Sequence, residues 1–273
     1  MLMLARLTIR EAMAKKTFMA FFLASTVFLL IIIFAFQLDI VKNGEAALNF
    51  VGTDDGDAPI VELEEFVKTL IGFSSVAIMT AGIFLSIFAT AGLIPSMLEK
   101  GSIDLILSKP MSRLNILLAR SGGALLVVFF NITYLILGLW IILGLKTGVW
   151  IVSFLIIIPV ICLVFLIIFC WMALWGILLN NSALTIMLTY IMFGISGLLL
   201  ARNQIYALLS SKIWGYILDG LYYLFPRISE MMQFPIQYFK EDTVMSFEAF
   251  TNSGIVAIVI FGVAAYLFQK RDF

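Results

Sequence analysis

The sequence predicts an all-α polytopic membrane protein with six transmembrane helices, and three observations carry that prediction. Of 273 residues, 63% are hydrophobic and 12% charged, with a mean hydropathy of +1.11, far from the composition of soluble domains. Crossing a hydrocarbon core of ~30 Å takes about 20 apolar residues in an α-helix. Six uncharged runs of that length occur, at 17–37, 69–97, 121–145, 147–179, 182–201 and 250–269. All 17 Lys and Arg and all 17 Asp and Glu fall outside these runs.

Residues 1–16, "MLMLARLTIREAMAKK", put Leu2, Leu4, Ile9 and Met13 on one side of a helix and Arg6, Arg10 and Lys16 on the other. This reads as an amphipathic helix on the inner leaflet, with Arg6, Arg10, Lys15 and Lys16 near anionic headgroups, or as a short continuation of the first span. The first run exceeds a signal-peptide core of about 7–15 residues and no small-x-small cleavage site follows its apolar core before Asp39, so it reads as a retained span.

The second run is rich in small residues, and Ala77/Ala81 and Gly82/Ser86 have the four-residue spacing that lets helices approach closely, either inside the bundle or at a seam between subunits. "LKTGVW" makes a tight hairpin of the third and fourth spans, and Asn180-Asn181 turns the chain before the fifth. Segment 202–249 carries many aromatics with Pro226 and Pro235, which suits short interfacial helices that either cap a pathway or serve as a static anchor. Cys162 and Cys170 lie ~12 Å apart along one helix and cannot pair within it, so they read as small hydrophobes. Histidine is absent, which removes imidazole bases and ligands.

Charge orients the chain. Arg6, Arg10, Lys15, Lys16, Lys100, Lys109, Arg113, Arg120, Lys270 and Arg271 share one side with four acids, Glu11, Glu99, Asp104 and Asp272. The opposite side holds seven basic residues and thirteen acids, eight of them between Gln37 and Lys68. By the positive-inside rule both termini and segment 98–120 are cytoplasmic. A proton- or ion-coupled carrier usually keeps an ionisable group at mid-membrane despite a cost of about 2.5–3.5 kcal/mol. None is expected here, so transport energy would come from elsewhere.

The stretch "EKGSIDLILSKPMSRLNILLAR", Glu99 to Arg120, interrupts two long apolar runs with an ordered pattern. Gly101 and Ser102 suit a helix start, and Asp104 meets the positive end of the dipole in the first turn. Ile103, Ile106 and Leu107 share one face. Lys109 precedes Pro110 and so resists the helical conformation, and Ser112 can cap the third span. A short amphipathic helix held crosswise at the cytoplasmic boundary results.

These residues resemble the signature loop of type-2 ABC transporter permeases. Glu99-Lys100-Gly101-Ser102-Ile103-Asp104, then Leu107-Ser108-Lys109-Pro110-Met111-Ser112-Arg113 and Ile116-Leu117-Leu118-Ala119-Arg120, follow that family's pattern, with Ser102 where Thr is commoner and Ala119-Arg120 in place of Gly-Lys. Six spans, an amphipathic start and a long outer segment before the last span extend the likeness over the chain. The resemblance implies a coupling helix docking in a cleft of a cytoplasmic ABC-type ATPase subunit. It implies charged contacts from Glu99, Asp104, Lys109 and Arg113, packing by Ile103, Ile106 and Leu107, and Gly101 and Pro110 punctuating the helix.

The chain has no phosphate loop of its own, since Gly144-Leu145-Lys146-Thr147 lacks the required second glycine. It is therefore expected to bind no cofactor and to be no enzyme itself, with ATP and Mg held by the partner. The resemblance implies the membrane subunit of an exporter in a prokaryotic inner membrane, paired with a second permease copy or a related permease. Membrane lipids surround it, and nucleic acid is not among the expected partners. The cargo would be amphiphilic, lipidic or peptide-like. The rivals are a polytopic enzyme using the outer acids around Asp54, Asp55 and Asp57, and a non-transporting sensor or assembly subunit.

Overall fold

The computed structural model describes residues 16–41, 45–50, 61–99, 112–208, 212–240 and 247–271. Residues 1–15 and 100–111 lie outside that set. With them go the expected anchors Arg6, Arg10 and Lys15 and the expected coupling residues Gly101, Ile103, Asp104, Ile106, Leu107, Lys109 and Pro110.

Helix α1 (Lys16–Ala35) runs into strand β1 (Phe36–Val41), which pairs antiparallel with β2 (Glu45–Phe50), placing Leu38 opposite Leu48; β3 (Val61–Glu62) adds to β2. No strand is expected here from the apolar runs alone. The signal was present in Asn43-Gly44, a hairpin dipeptide between two short runs of apolar residues. The chain then forms α2 (Leu63–Thr90), α3 (Arg113–Thr147), α4 (Ile157–Leu179), α5 (Ser182–Leu200), the short α6 (Arg202–Leu208), α7 (Lys212–Leu224), α8 (Ile228–Met232) and α9 (Phe234–Lys240), and last α10 (Glu248–Lys270).

Five segments, Val67–Met97, Arg113–Thr147, Val152–Leu179, Ser182–Leu200 and Glu248–Lys270, are long and apolar enough to cross a membrane, and a shorter apolar stretch, Met19–Phe34, lies within α1. The chain is thus a multi-pass membrane protein with an α-helical body. Its helix ends define a sheet end, near β1–β3 and α6–α9, and a terminal end, near Lys16 and Arg271.

Boundaries moved where local chemistry dictates. The span expected at 147–179 begins later: Gly148 closes α3 in the left-handed conformation at φ 74°, and a 3₁₀ turn, Val152–Ile156, leads into α4. Pro159, the third residue of α4, lacks an amide hydrogen that no first-turn residue would use. At the other boundary Asn180 ends α4 at φ 51°, and Asn181 caps α5, its Oδ1 accepting from the amides of Ala183 at 2.9 Å and Leu184 at 3.3 Å. Two adjacent asparagines turn the chain because one tolerates the left-handed region and the other satisfies orphan amides.

Helix α4 is apolar on every side and sits at the centre, packed by α2, α3, α5 and α10. Helix α10 turns Ala249, Ser253, Ala257, Ala264 and Ala265 inward, so its backbone can lie close to α4, and exposes Ile255, Ile258, Val259 and Val263. Close approach recurs at Gly138, where an added Cβ would fall 2.6 Å from Leu29 of α1, and at Gly82, 2.8 Å from Ile132 of α3. Part of the small-residue stripe of α2 is therefore an internal seam, whereas Ala77 and Ala81 are exposed.

Several hydroxyl groups in the body are satisfied locally, as a hydrocarbon surround favours, whereas Thr133 Oγ1 and the indole nitrogens of Trp171 and Trp175 are buried with no partner among the described residues. Ser74, Ser75, Ser86 and Thr90 donate to carbonyls four residues back. The buried Asn131 of α3 donates to Ser25 of α1 at 3.0 Å, and Tyr134 of α3 stacks on Phe22 with centroids 4.6 Å apart.

At the sheet end of α3, Trp140 donates to the Ile151 carbonyl at 3.1 Å and meets Trp150 edge-on, while Gly144 lies directly beneath Trp150. An alanine Cβ at Gly144 would come within 2.6 Å of the ring. Because the ring is held by Trp140, Gly144→Ala should cost about 1–3 kcal/mol by overpacking. Gly122→Ala meets nothing within 4 Å and should be neutral or slightly stabilising. Thermal unfolding in detergent, with indole fluorescence as the probe, should lower the midpoint for the first variant only.

Candidate functional site

The terminal end carries the two stems of the stretch from Glu99 to Arg120. Helix α2 gives way after Thr90 to a turn and then a 3₁₀ helix, Pro95–Met97, because Pro95 cannot continue the α ladder. Ile94, Pro95, Met97 and Leu98 are buried, and Gly176 of α4 lets Ile94 and Pro95 in, with an added Cβ lying 3.2–3.3 Å from them. Glu99 is exposed at the end of this stem. The second stem starts at Ser112, whose hydroxyl accepts from the Asn115 amide at 3.3 Å and caps α3 as its sequence position suggested.

Arg113 does more than flank the stretch. Its Nη1 donates to the carbonyls of Phe268 at 3.3 Å, Gln269 at 2.9 Å and Arg271 at 2.7 Å, capping the C-terminal end of α10. A cation there also meets the negative end of the helix dipole. Arg271 in turn donates to the Ile177 carbonyl in the last turn of α4. The first residue of α3 is thus tied to α10, and α10 to α4, by arginines on helix C-termini. The guanidinium expected to face a partner protein is occupied in part by its own chain. Lys16 opens α1, and its side chain lies outside the described set.

Arg120 departs from expectation. The apolar run places the start of the third span at 121, but α3 starts at Arg113, and Arg120 is 4% exposed within it. The apolar periodicity marked the run without revealing that the helix had already begun. A 35-residue helix is ~52 Å long, against a ~30 Å core, so a residue ~10 Å from its start falls near a boundary, not midway.

A second constellation, missed by the sequence analysis, lies at the sheet end. Arg227, in the link between α7 and α8, is 5% exposed. Its Nη1 lies 3.3 Å from Glu248 at the start of α10 and 3.9 Å from Glu230 of α8. Its guanidinium carbon is 3.9 Å from the ring centroid of Tyr222 and 4.9 Å from that of Tyr223, and Arg202 of α6 lies 3.3 Å from the Tyr222 centroid. Two guanidinium groups that close to one centroid would overlap on a single face, so Tyr222 is sandwiched between them.

Tyr222 donates to Glu230. Burial, with the hydrogen bond and negative charge of Glu230 added, pushes its phenol up to about 12, so it remains the donor at neutral pH. Nε and Nη2 of Arg227 have no hydrogen-bond acceptor among the described residues. The aromatic faces shelter them, the desolvated setting in which cation–π attraction is strongest. The backbone is pinned as well: the Arg227 amide donates to Ser253 of α10 at 2.9 Å and the Ser229 amide to Ser196 of α5 at 3.0 Å. A cavity of about 290 Å³ opens beside the cluster, lined by Glu230, Gln233, Gln237 and Glu248 among others.

The cluster therefore clamps α6, α7 and α8 onto the ends of α5 and α10. The only sequence signal was Tyr222-Tyr223 near Pro226-Arg227, a density of aromatics beside a cation that does not by itself specify a sandwich. No protein-family model matches the chain, and no curated protein matches it significantly.

Proposed function

We propose that the chain is the membrane-spanning permease subunit of an ATP-binding cassette exporter, driven by a separate ATPase subunit and assembled with a second permease copy or a related one. The observation that carries the reading is the stretch from Glu99 to Arg120: it has the order of charges, glycine, aliphatics and proline of a coupling loop, and its stems are fixed to four helices. The five longer segments support a multi-pass plan, and the reading takes α1 as a sixth span.

In this reading the terminal end is cytoplasmic, in a prokaryotic inner membrane, and residues 1–15 lie on the inner leaflet. ATP-driven closure of the partner pushes the crosswise helix. The push passes directly to α2 and α3, and through Arg113 and Arg271 to α10 and α4, so packed helices move as a set in a hinge or shear motion. ATP and Mg are held by the partner. The sheet-end clamp joins α6–α8 to α5 and α10, where access to the outside would open and close.

Two measurements test this. A single cysteine at Pro110, in a background with Cys162 and Cys170 replaced by alanine, should label only from the cytoplasmic side. Asp104→Lys should reduce co-purification of a co-expressed phosphate-loop ATPase about tenfold or more and abolish outward transport, while the protein still inserts. Labelling of position 110 from outside, or full ATPase association by the charge-reversed protein, would rule the exporter reading out. Function without any ATPase would favour the enzyme rival.

A further inference from the structure

Three cavities adjoin one another along α2. The first, of about 590 Å³, lies at the sheet end, where Glu65, Lys68 and Thr69 of α2 face Ser153, Tyr238 and Phe239. A second, of about 140 Å³, shares Lys68 and Thr69 with it and adds Gly72, Phe73 and Ile236. The third, of about 240 Å³, shares Phe73 with the second, and there Ala77 of α2 faces Phe28 and Ile32 of α1 and Leu139 and Leu143 of α3.

Positions 65, 68, 69, 72 and 73 share one face of α2, and positions 70, 73, 74 and 77 carry the lining onto the adjoining face, so together they form a stripe that winds around the helix over ~18 Å, roughly the depth of one leaflet. Along that stripe the walls change from carboxylate, ammonium and hydroxyl groups to aromatic and aliphatic ones. Gly72 is buried and lines the middle cavity. Its absent Cβ would be 3.8 Å from the nearest atom, Phe239 Cβ, so close packing does not demand glycine there, and a larger side chain would fill that part of the cavity. Phe73 is 62% exposed and Ala77 is also exposed, so the lower groove opens sideways to the acyl region.

We infer that this stripe binds one zwitterionic membrane lipid, with its phosphate toward Lys68, its cationic group toward Glu65, and one acyl chain passing Gly72 into the groove beside Phe73. A polar solute would have no use for the apolar continuation. A second copy of the chain could cover the groove, but it would not account for a cavity bearing one acid and one base that runs into it. The inference deepens the export reading, on which it rests only in treating the bound lipid as cargo.

The test reads binding. A benzophenone amino acid replaces Phe73 in the full chain, reconstituted with its ATPase partner in vesicles of equal phosphatidylethanolamine and phosphatidylglycerol. A second protein carries the label at Phe88, which is exposed on the same helix away from the cavities. Crosslinking at position 73 should favour the zwitterionic lipid about tenfold over its ratio at position 88. Lys68→Ala should bring that ratio to parity, and Gly72→Leu should suppress the lipid crosslink at 73 while leaving that at 88, which reports a folded, inserted protein. Equal ratios at both positions, or a crosslink from 73 to a second copy, would overturn the site. Either result with ATPase association intact leaves the exporter reading standing, and loss of association with the lipid preference retained does the reverse.

Discussion

Replacing Arg113 by alanine is expected to release the C-terminal end of α10. The guanidinium donates to three carbonyls of that end, and hydrogen bonds from a charged donor contribute about 1.5–3 kcal/mol net. Amide exchange in the last turn of α10 should therefore rise roughly tenfold or more, since local opening there would no longer break the cap. Arg113→Lys should recover part of the protection, because an ammonium can still serve a carbonyl but its shorter stem does not carry the nitrogen to where Nη1 meets all three. Lys270→Ala is the control: its side chain is exposed and lies 5.1 Å from the Tyr266 ring. In a transporting complex, the Arg113 variant should keep ATPase association yet move less cargo per ATP hydrolysed. Unchanged exchange in α10 would show that the cap does not fix the helix.

The second large effect is expected at Arg227. Arg227→Met keeps apolar bulk but removes the cation that faces Tyr222, Tyr223, Glu230 and Glu248. Breaking a buried ion pair costs about 3–5 kcal/mol when the remaining charge is trapped. Here the remaining charges are not trapped: the Glu248 side chain is 67% exposed and that of Glu230 is 28% exposed and accepts from Tyr222. The cost should therefore be nearer the cation–π value for a desolvated pair, ~2 kcal/mol, which for a protein of this size lowers a melting midpoint by roughly 4–8 °C. Arg202→Met, at a half-buried position on the other face of Tyr222, should cost less. A double variant whose loss is smaller than the sum of the two would show that the guanidinium groups act through the same ring. Strict additivity would dissolve the sandwich as an energetic unit.

Several features were legible in the sequence because they depend on near neighbours. The apolar runs marked the spans, Ser112 marked the start of α3, and Asn180-Asn181 marked the turn between α4 and α5. Each is a matter of length, a cap or a backbone preference within a few residues. Even there the run lengths misplaced an edge, since Arg120 is buried in a helix whose polar first turns extend beyond its apolar stretch.

By itself the sequence determined that this chain lives in a bilayer as helices, and it singled out the stretch from Glu99 to Arg120. Which groups meet was decided only by tertiary structure: Arg113 reaches carbonyls some 155 residues away, Arg202 and Arg227 converge on one tyrosine, and α1, α2 and α3 leave an apolar groove between them. The physical reason is that apolar periodicity fixes which residues enter the membrane but not how the helices turn and pack around one another. Charge partners and cavities exist only once that packing is set.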